Sequence, residues 1–131
     1  MRHILLVDDD VDSRFICRTI LTYAGFTVIE CGDGESAVHL ARLACPDLIL
    51  MDLSLPILDG LGAVRALKGD GATSGIPVVA LTAHALPPER QRAADAGFDG
   101  YLTKPIAPMR VLDEVRNRLR MTEPAAYPST E

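Results

Sequence analysis

The sequence predicts an α/β protein, a five-stranded parallel sheet covered by helices on both faces. Three observations predict it. Short apolar runs alternate with longer stretches whose apolar residues recur at helical spacing, and the alternation repeats five times. The run Leu48 to Met51 is apolar throughout and bounded by Pro46 and Pro56, as suits a strand buried on both faces. That run ends in Asp52, and a carboxylate at the carboxyl end of a central strand points into the crevice where open α/β sheets bind ligands.

Taken in order, Ile4 to Val7 forms the first strand and stops at Asp8-Asp9-Asp10. Ile16, Cys17, Ile20, Leu21 and Ala24 then recur at helical spacing until Gly25 ends the helix, and Asp10 is its expected cap. Phe15 falls nearly opposite the middle of that apolar arc, so its ring should face solvent. Thr27 to Glu30 makes a second strand, and Asp33 caps a helix carrying Ala37, Val38, Ala41 and Ala44 that ends before Pro46. After the central strand, a third helix follows Asp59-Gly60, carries Val64 and Leu67, and breaks up in Lys68-Gly-Asp-Gly71. The run from Pro77 to Leu81 is the fourth strand, Pro88 sits in the first turn of a helix closed by Gly97, and Gly100 to Thr103 is the fifth strand. A last helix presents Leu112, Val115 and Leu119 on one face. Met121 to Glu131, with two prolines and no periodicity, reads as a tail.

Composition narrows the function. A length of 131 residues with 48% hydrophobic residues fits one domain with a sizeable core. The net charge of −5 argues against direct nucleic-acid binding and against anionic lipid. Cys17, Cys31 and Cys45 are odd in number and lack C-x-x-C spacing, and two of them fall in apolar helical patterns, so neither a disulfide framework nor a zinc site is expected. No apolar run approaches the length of a membrane span, and Met1-Arg2-His3 leads into a strand rather than a signal-peptide core. A reduced, cytoplasmic protein without membrane insertion is the expectation.

The topology gathers the chemistry. Asp8 and Asp9 end the first strand, Asp52 the third, Thr82 the fourth and Lys104 the fifth, so all five project from one edge of the sheet. Carboxylates about 4 Å apart repel by about 4 kcal/mol per pair at a surface-like dielectric, so the cluster calls for a cation. Oxygen ligands without His or Cys select a hard divalent ion, and an open, hydrated site suits Mg²⁺. A carboxylate, a divalent cation, a hydroxyl and an ammonium around one point can stabilise a phosphoryl group in transfer. Phosphorylation of an aspartate is the function suggested.

Four segments carry a resemblance: Ile4-Leu-Leu-Val-Asp8-Asp9; Met51-Asp52-Leu-Ser-Leu-Pro56 with Asp59-Gly60; Leu81-Thr82-Ala83; and Tyr101-Leu-Thr-Lys104-Pro105. Together they resemble the signature blocks of response-regulator receiver domains in two-component signalling, from about Arg2 to about Arg120. Each block alone is weak evidence; four in order at the family's spacing are specific. The resemblance implies a flavodoxin-like (βα)5 three-layer sandwich with strand order 2-1-3-4-5, a receiver domain over residues 1–120 and a flexible tail over 121–131. It implies that Asp52 accepts the phosphoryl group, that Asp8, Asp9, Asp52 and the backbone carbonyl of Ser54 hold Mg²⁺, and that Thr82 and Lys104 assist. It further implies a cis peptide before Pro105 and an aromatic switch at Tyr101 coupled to Thr82. The implied partners are a histidine kinase or histidine phosphotransfer protein and a downstream target, and the chain is a phosphoacceptor switch rather than an enzyme.

Several residues carry plainer expectations. His84 stands two residues after Thr82, at the rim of the site, and is read as a solvent-facing loop residue; His3 and His39 are surface positions. Glu89, Arg90, Arg92 and Asp95 form a mixed pattern typical of a solvated helix face. A flavodoxin-type carrier would share the fold, but three consecutive aspartates after the first strand would repel a flavin phosphate. A phosphatase of the haloacid dehalogenase type needs a second acid two residues after the nucleophile, where Ser54 stands. Because the chain ends soon after its last helix, a single-domain regulator is expected, acting by protein binding or by onward phosphorelay, with a slight tilt towards relay over motor control. Phe15, near the start of the helix that follows Asp8-Asp9, is the candidate docking residue for the donor.

Overall fold

Residues 2–83 and 86–122 are described by a computed structural model, with side chains described through residue 120. Strands β1 (His3–Val7), β2 (Thr27–Cys31), β3 (Leu48–Asp52), β4 (Val78–Thr82) and β5 (Gly100–Thr103) alternate with helices α1 (Val11–Tyr23), α2 (Gly34–Ala44), α3 (Gly60–Lys68), α4 (Pro87–Ala96) and α5 (Pro108–Thr122). Neighbouring strands all pair in parallel, in the order β2-β1-β3-β4-β5, the expected fold class and order.

The order distributes the helices. Parallel crossovers are right-handed, so the leftward step from β1 to β2 and the rightward steps to β3, β4 and β5 send their helices to opposite faces. Strand side chains alternate accordingly. Leu5, Val7, Ile49, Met51, Val78 and Ala80 pack on one face against Ala37 and Ala41 of α2, Val64 and Leu67 of α3, and Ala93 of α4. Ile4, Leu6, Leu48, Leu50, Val79 and Leu81 pack on the other against Cys17 and Leu21 of α1 and Leu112 and Val115 of α5. The central strand β3 and its neighbour β4 are buried along their whole length. Truncating one such side chain, Leu50→Ala for example, would cost about 2–5 kcal/mol. The strand order reverses between β1 and β3, which opens the crevice at their carboxyl ends.

Aspartate caps fix where three helices start. Asp10, Asp33 and Asp59 accept from the amides of Asp12, Ser36 and Gly62, satisfying donors that the first helical turn leaves unpaired. Some expectations needed adjustment. On α1 only Ser13, Cys17 and Leu21 are buried, while Ile16, Ile20 and Ala24 are half-covered, because the helix meets the sheet along a narrow stripe. Of the cysteines, Cys17 alone lies within a helix; Cys31 ends β2, and Cys45 is the exposed left-handed cap of α2 (φ 46°). All three are free thiols. Helix α5 runs through Thr122, two residues into the stretch expected to be a tail, since nothing before Pro124 breaks it; residues 123–131 lie outside the described residues.

Candidate functional site

The sheet edge gathers the expected side chains. Asp8 follows β1, Asp52 ends β3, Thr82 ends β4 and Lys104 follows β5. Asp8 is fully buried, and Asp52 and Thr82 are nearly so. The carboxylates of Asp8, Asp9 and Asp52 offer oxygens within 4.8 Å of one another. Lys104 reaches them across the crevice, with Nζ 2.8 Å from Asp52 Oδ2 and 3.1 Å from Asp8 Oδ2. Its amide also donates to the Thr82 carbonyl at 2.7 Å, which ties the loop after β5 to the end of β4. The Lys104–Pro105 peptide is cis, as expected.

Backbone amides hold the carboxylates in place. Asp10 N donates to Asp8 Oδ1 and Ser54 N to Asp52 Oδ1, each at 2.9 Å. Each aspartate thus bonds the amide two residues on, a local turn that aims the opposite oxygen into the crevice. Gly60 is required behind Asp52: a Cβ there would stand 2.5 Å from the Asp52 carbonyl oxygen and 2.8 Å from Leu53 Cα.

Electrostatically the site is overloaded with negative charge. Burial pushes the Asp8 carboxyl up to about 6, with the neighbouring Asp52 adding to the rise and the Asp10 amide and Lys104 opposing it. Burial would lower the Lys104 ammonium, but the hydrogen bond and charge of Asp52, and then Asp8, hold it above its ordinary value. Asp8 Oδ2 is the informative atom. It lies 3.1 Å from Lys104 Nζ yet receives no hydrogen bond, because the contact is off-angle. A buried, unsatisfied carboxylate oxygen among three carboxylates is an arrangement that a hard divalent cation completes, and the donor set fits Mg²⁺.

Other expected residues sit around this centre. Tyr101 on β5 is half-buried, and Ser54 is exposed. Phe15 faces solvent at 57% exposure, with the Arg18 guanidinium 5.4 Å from its ring centroid. His3 and His39 are exposed, and His84 lies outside the described residues. Two contacts were not foreseen. Arg90 of α4 lies over the Tyr101 ring at 5.1 Å, so this face of α4 is not merely solvated. Arg14 of α1 donates to the Asp8 carbonyl at 3.2 Å and pairs with Glu30 of β2 at 3.3 Å. Its position one helical turn after the acidic run was the available signal.

Residues 4–116 match the response regulator receiver domain family. The chain belongs to that family. Solved receivers superpose closely: the chemotaxis response regulator CheY4 of Vibrio cholerae is 29% identical with a TM-score of 0.85, covering 91% of this chain and 98% of its own. The receiver domain of sensor histidine kinase PA1611 from Pseudomonas aeruginosa, whose structure has a magnesium ion coordinated in the active-site cleft, is 33% identical with the same TM-score and coverage. Among curated relatives, the phosphate regulon transcriptional regulatory protein PhoB of Klebsiella pneumoniae is 37% identical over 95% of this chain and 55% of its own length. This receiver domain spans about half the length of the curated relatives it matches. No helix among its described residues is long and apolar enough to cross a membrane.

Proposed function

We propose that this receiver domain takes a phosphoryl group onto Asp52 from a phosphohistidine of a histidine kinase or histidine phosphotransfer protein, with Mg²⁺ held by Asp8, Asp9, Asp52 and the Ser54 carbonyl. The observation that carries the reading is Lys104 Nζ placed 2.8 Å from Asp52 Oδ2 beside the unsatisfied Asp8 Oδ2. The magnesium in the cleft of the PA1611 receiver supports the choice of ion. When bound, the cation would neutralise the crevice and the charge of the incoming phosphoryl group. Asp52 supplies the oxygen that bonds to phosphorus as the phosphorus–nitrogen bond of the donor breaks. Lys104 offsets charge on the transferred oxygens, and the Thr82 hydroxyl donates to one of them once its loop moves inward. That movement vacates space for the Tyr101 ring and alters the surface of α4, β5 and α5, which a downstream protein reads.

In this reading the chain is a switch that assists its own phosphorylation and dephosphorylation. A net charge of −5 favours protein partners over direct contact with nucleic acid. Residues 1–120 as the receiver and a cytoplasmic location belong to the same proposal.

Incubation with acetyl phosphate and Mg²⁺ should add one phosphoryl group by intact mass. Chelator should abolish the addition, and Asp52→Asn should not be labelled. Wild-type labelling of Asp52→Asn, or no effect of chelator, overturns the assignment.

A further inference from the structure

Arg14 closes the first turn of α1, and its half-buried guanidinium reaches back over the turn that joins β1 to the helix. Nη1 donates to the Asp8 carbonyl at 3.2 Å, and Nε lies 3.3 Å from a Glu30 carboxylate oxygen on β2. Glu30 is braced in turn by Arg18, whose Nη1 lies 3.1 Å from both of its oxygens. Gly32 leaves room for this arm: a Cβ there would stand 3.3 Å from Arg14 Nη1 and 3.8 Å from Asp9 Cα.

The carbonyl that Arg14 holds belongs to the peptide unit between Asp8 and Asp9. That unit is planar, so fixing its oxygen fixes the direction in which the chain enters Asp9. The Asp8 carboxylate has restraints of its own, from burial, the Asp10 amide and Lys104. The Asp9 side chain is exposed, and among the described residues no hydrogen bond holds its carboxylate. Its aim is inherited from the backbone. We infer that Arg14, braced by Glu30, is a positioning residue that aims Asp9 into the cation site, an inference that rests on the reading of Asp8, Asp9 and Asp52 as that site.

Two physical effects predict opposite signs when Arg14 is removed. Deleting a positive charge near an acidic cluster should by Coulomb's law tighten binding of a divalent cation. Loosening an outer support of a ligand should weaken it, by about ten- to a hundredfold in metal sites generally. Positioning predicts the second, because the Glu30 carboxylate, shared with Arg18, offsets part of the Arg14 charge and leaves the Coulombic effect the smaller.

Mg²⁺ alone is titrated calorimetrically into the full chain at constant pH, with thermal melts in chelator as a control on folding. Arg14→Ala should weaken Mg²⁺ binding about tenfold or more. Arg14→Lys, whose ammonium can reach one partner but lacks the planar fork, should fall between. Gly32→Ala, which presses a methyl against Nη1, should weaken binding with every ligand intact, and with Arg14→Lys it carries the test if Arg14→Ala does not fold. Binding by Arg14→Ala as tight as wild type or tighter, with Asp9→Asn impaired, overturns the role of Arg14 and leaves the cation site standing. Wild-type affinity in Asp9→Asn overturns the cation-site reading and this inference with it.

Discussion

Burying a carboxylate beside a second one raises the free energy of its charged form, and Asp8 carries both burdens, which lift its carboxyl from 3.8 to about 6. Because the folded value lies above the unfolded one, the folded protein holds the extra proton between those limits. Stability in chelator therefore falls as pH rises from about 4 to 6, and the loss persists above that range. Asp8→Asn keeps an acceptor for the Asp10 amide and removes the charge, so in chelator at pH 7.5 it should be more stable than wild type by on the order of 1–3 kcal/mol. Urea unfolding across pH 4 to 8 checks this: the variant should lack most of the wild-type slope, and Mg²⁺ should stabilise wild type alone. The gathering of Asp8, Asp52, Thr82 and Lys104 at one edge was legible in the sequence because each stands where a strand runs out, and a parallel sheet brings all such ends together. Arg90 was not, because its partner Tyr101 lies on another element and no local pattern links them; Arg14 offered only its place one turn after the acidic run, and its ion pair with Glu30 of β2 had no local sign.

Between elements, the contact of α4 with β5 sets the starting point of the proposed switch. The Arg90 guanidinium over the Tyr101 ring favours the ring position in the structure, and a cation–π contact at an exposed site is worth about 0.5–1 kcal/mol. Arg90→Ala should therefore shift the balance of Tyr101 ring positions about two- to fivefold towards the phosphorylated-like one without any phosphoryl group. Tyrosine ring NMR shifts with and without beryllofluoride and Mg²⁺ read this balance. Thr82→Ala should bind beryllofluoride yet leave Tyr101 unmoved, and a Tyr101 movement in that variant equal to that of wild type would count against the coupling. Element boundaries were largely legible, since proline, glycine and capping aspartates mark them. Ile57 was not. It is 78% exposed with φ 69° in a γ-turn closed by Leu58 N to Pro56 O at 2.7 Å, a strained position for a β-branched residue that nothing in the local sequence announces.

For the molecule as a whole, the question is how a donor would reach the proposed phosphoacceptor Asp52, which is only 5% exposed. A small phosphodonor needs only the crevice. A phosphohistidine on a protein must bring its own backbone to the rim, and α1 borders that rim directly after Asp8 and Asp9. Val11 and Phe15 lie one helical turn apart on the outer face of α1, 70% and 57% exposed. Solitary exposed apolar residues are ordinary, but a pair on one face beside the acceptor is a surface an amphipathic donor helix could cover. The flanking Arg18, 5.4 Å from the Phe15 ring, would limit how the ring repacks. Truncating a central aromatic anchor commonly costs at least 1–2 kcal/mol of binding, about five- to thirtyfold. Phe15→Ala should therefore slow phosphotransfer from the cognate kinase or phosphotransfer protein by about that factor at subsaturating donor, and leave labelling by acetyl phosphate unchanged. Comparing both donors on one preparation separates docking from chemistry. Equal loss with both would place Phe15 in the fold or the site, and equal rates for variant and wild type with the protein donor would make it surface and nothing more.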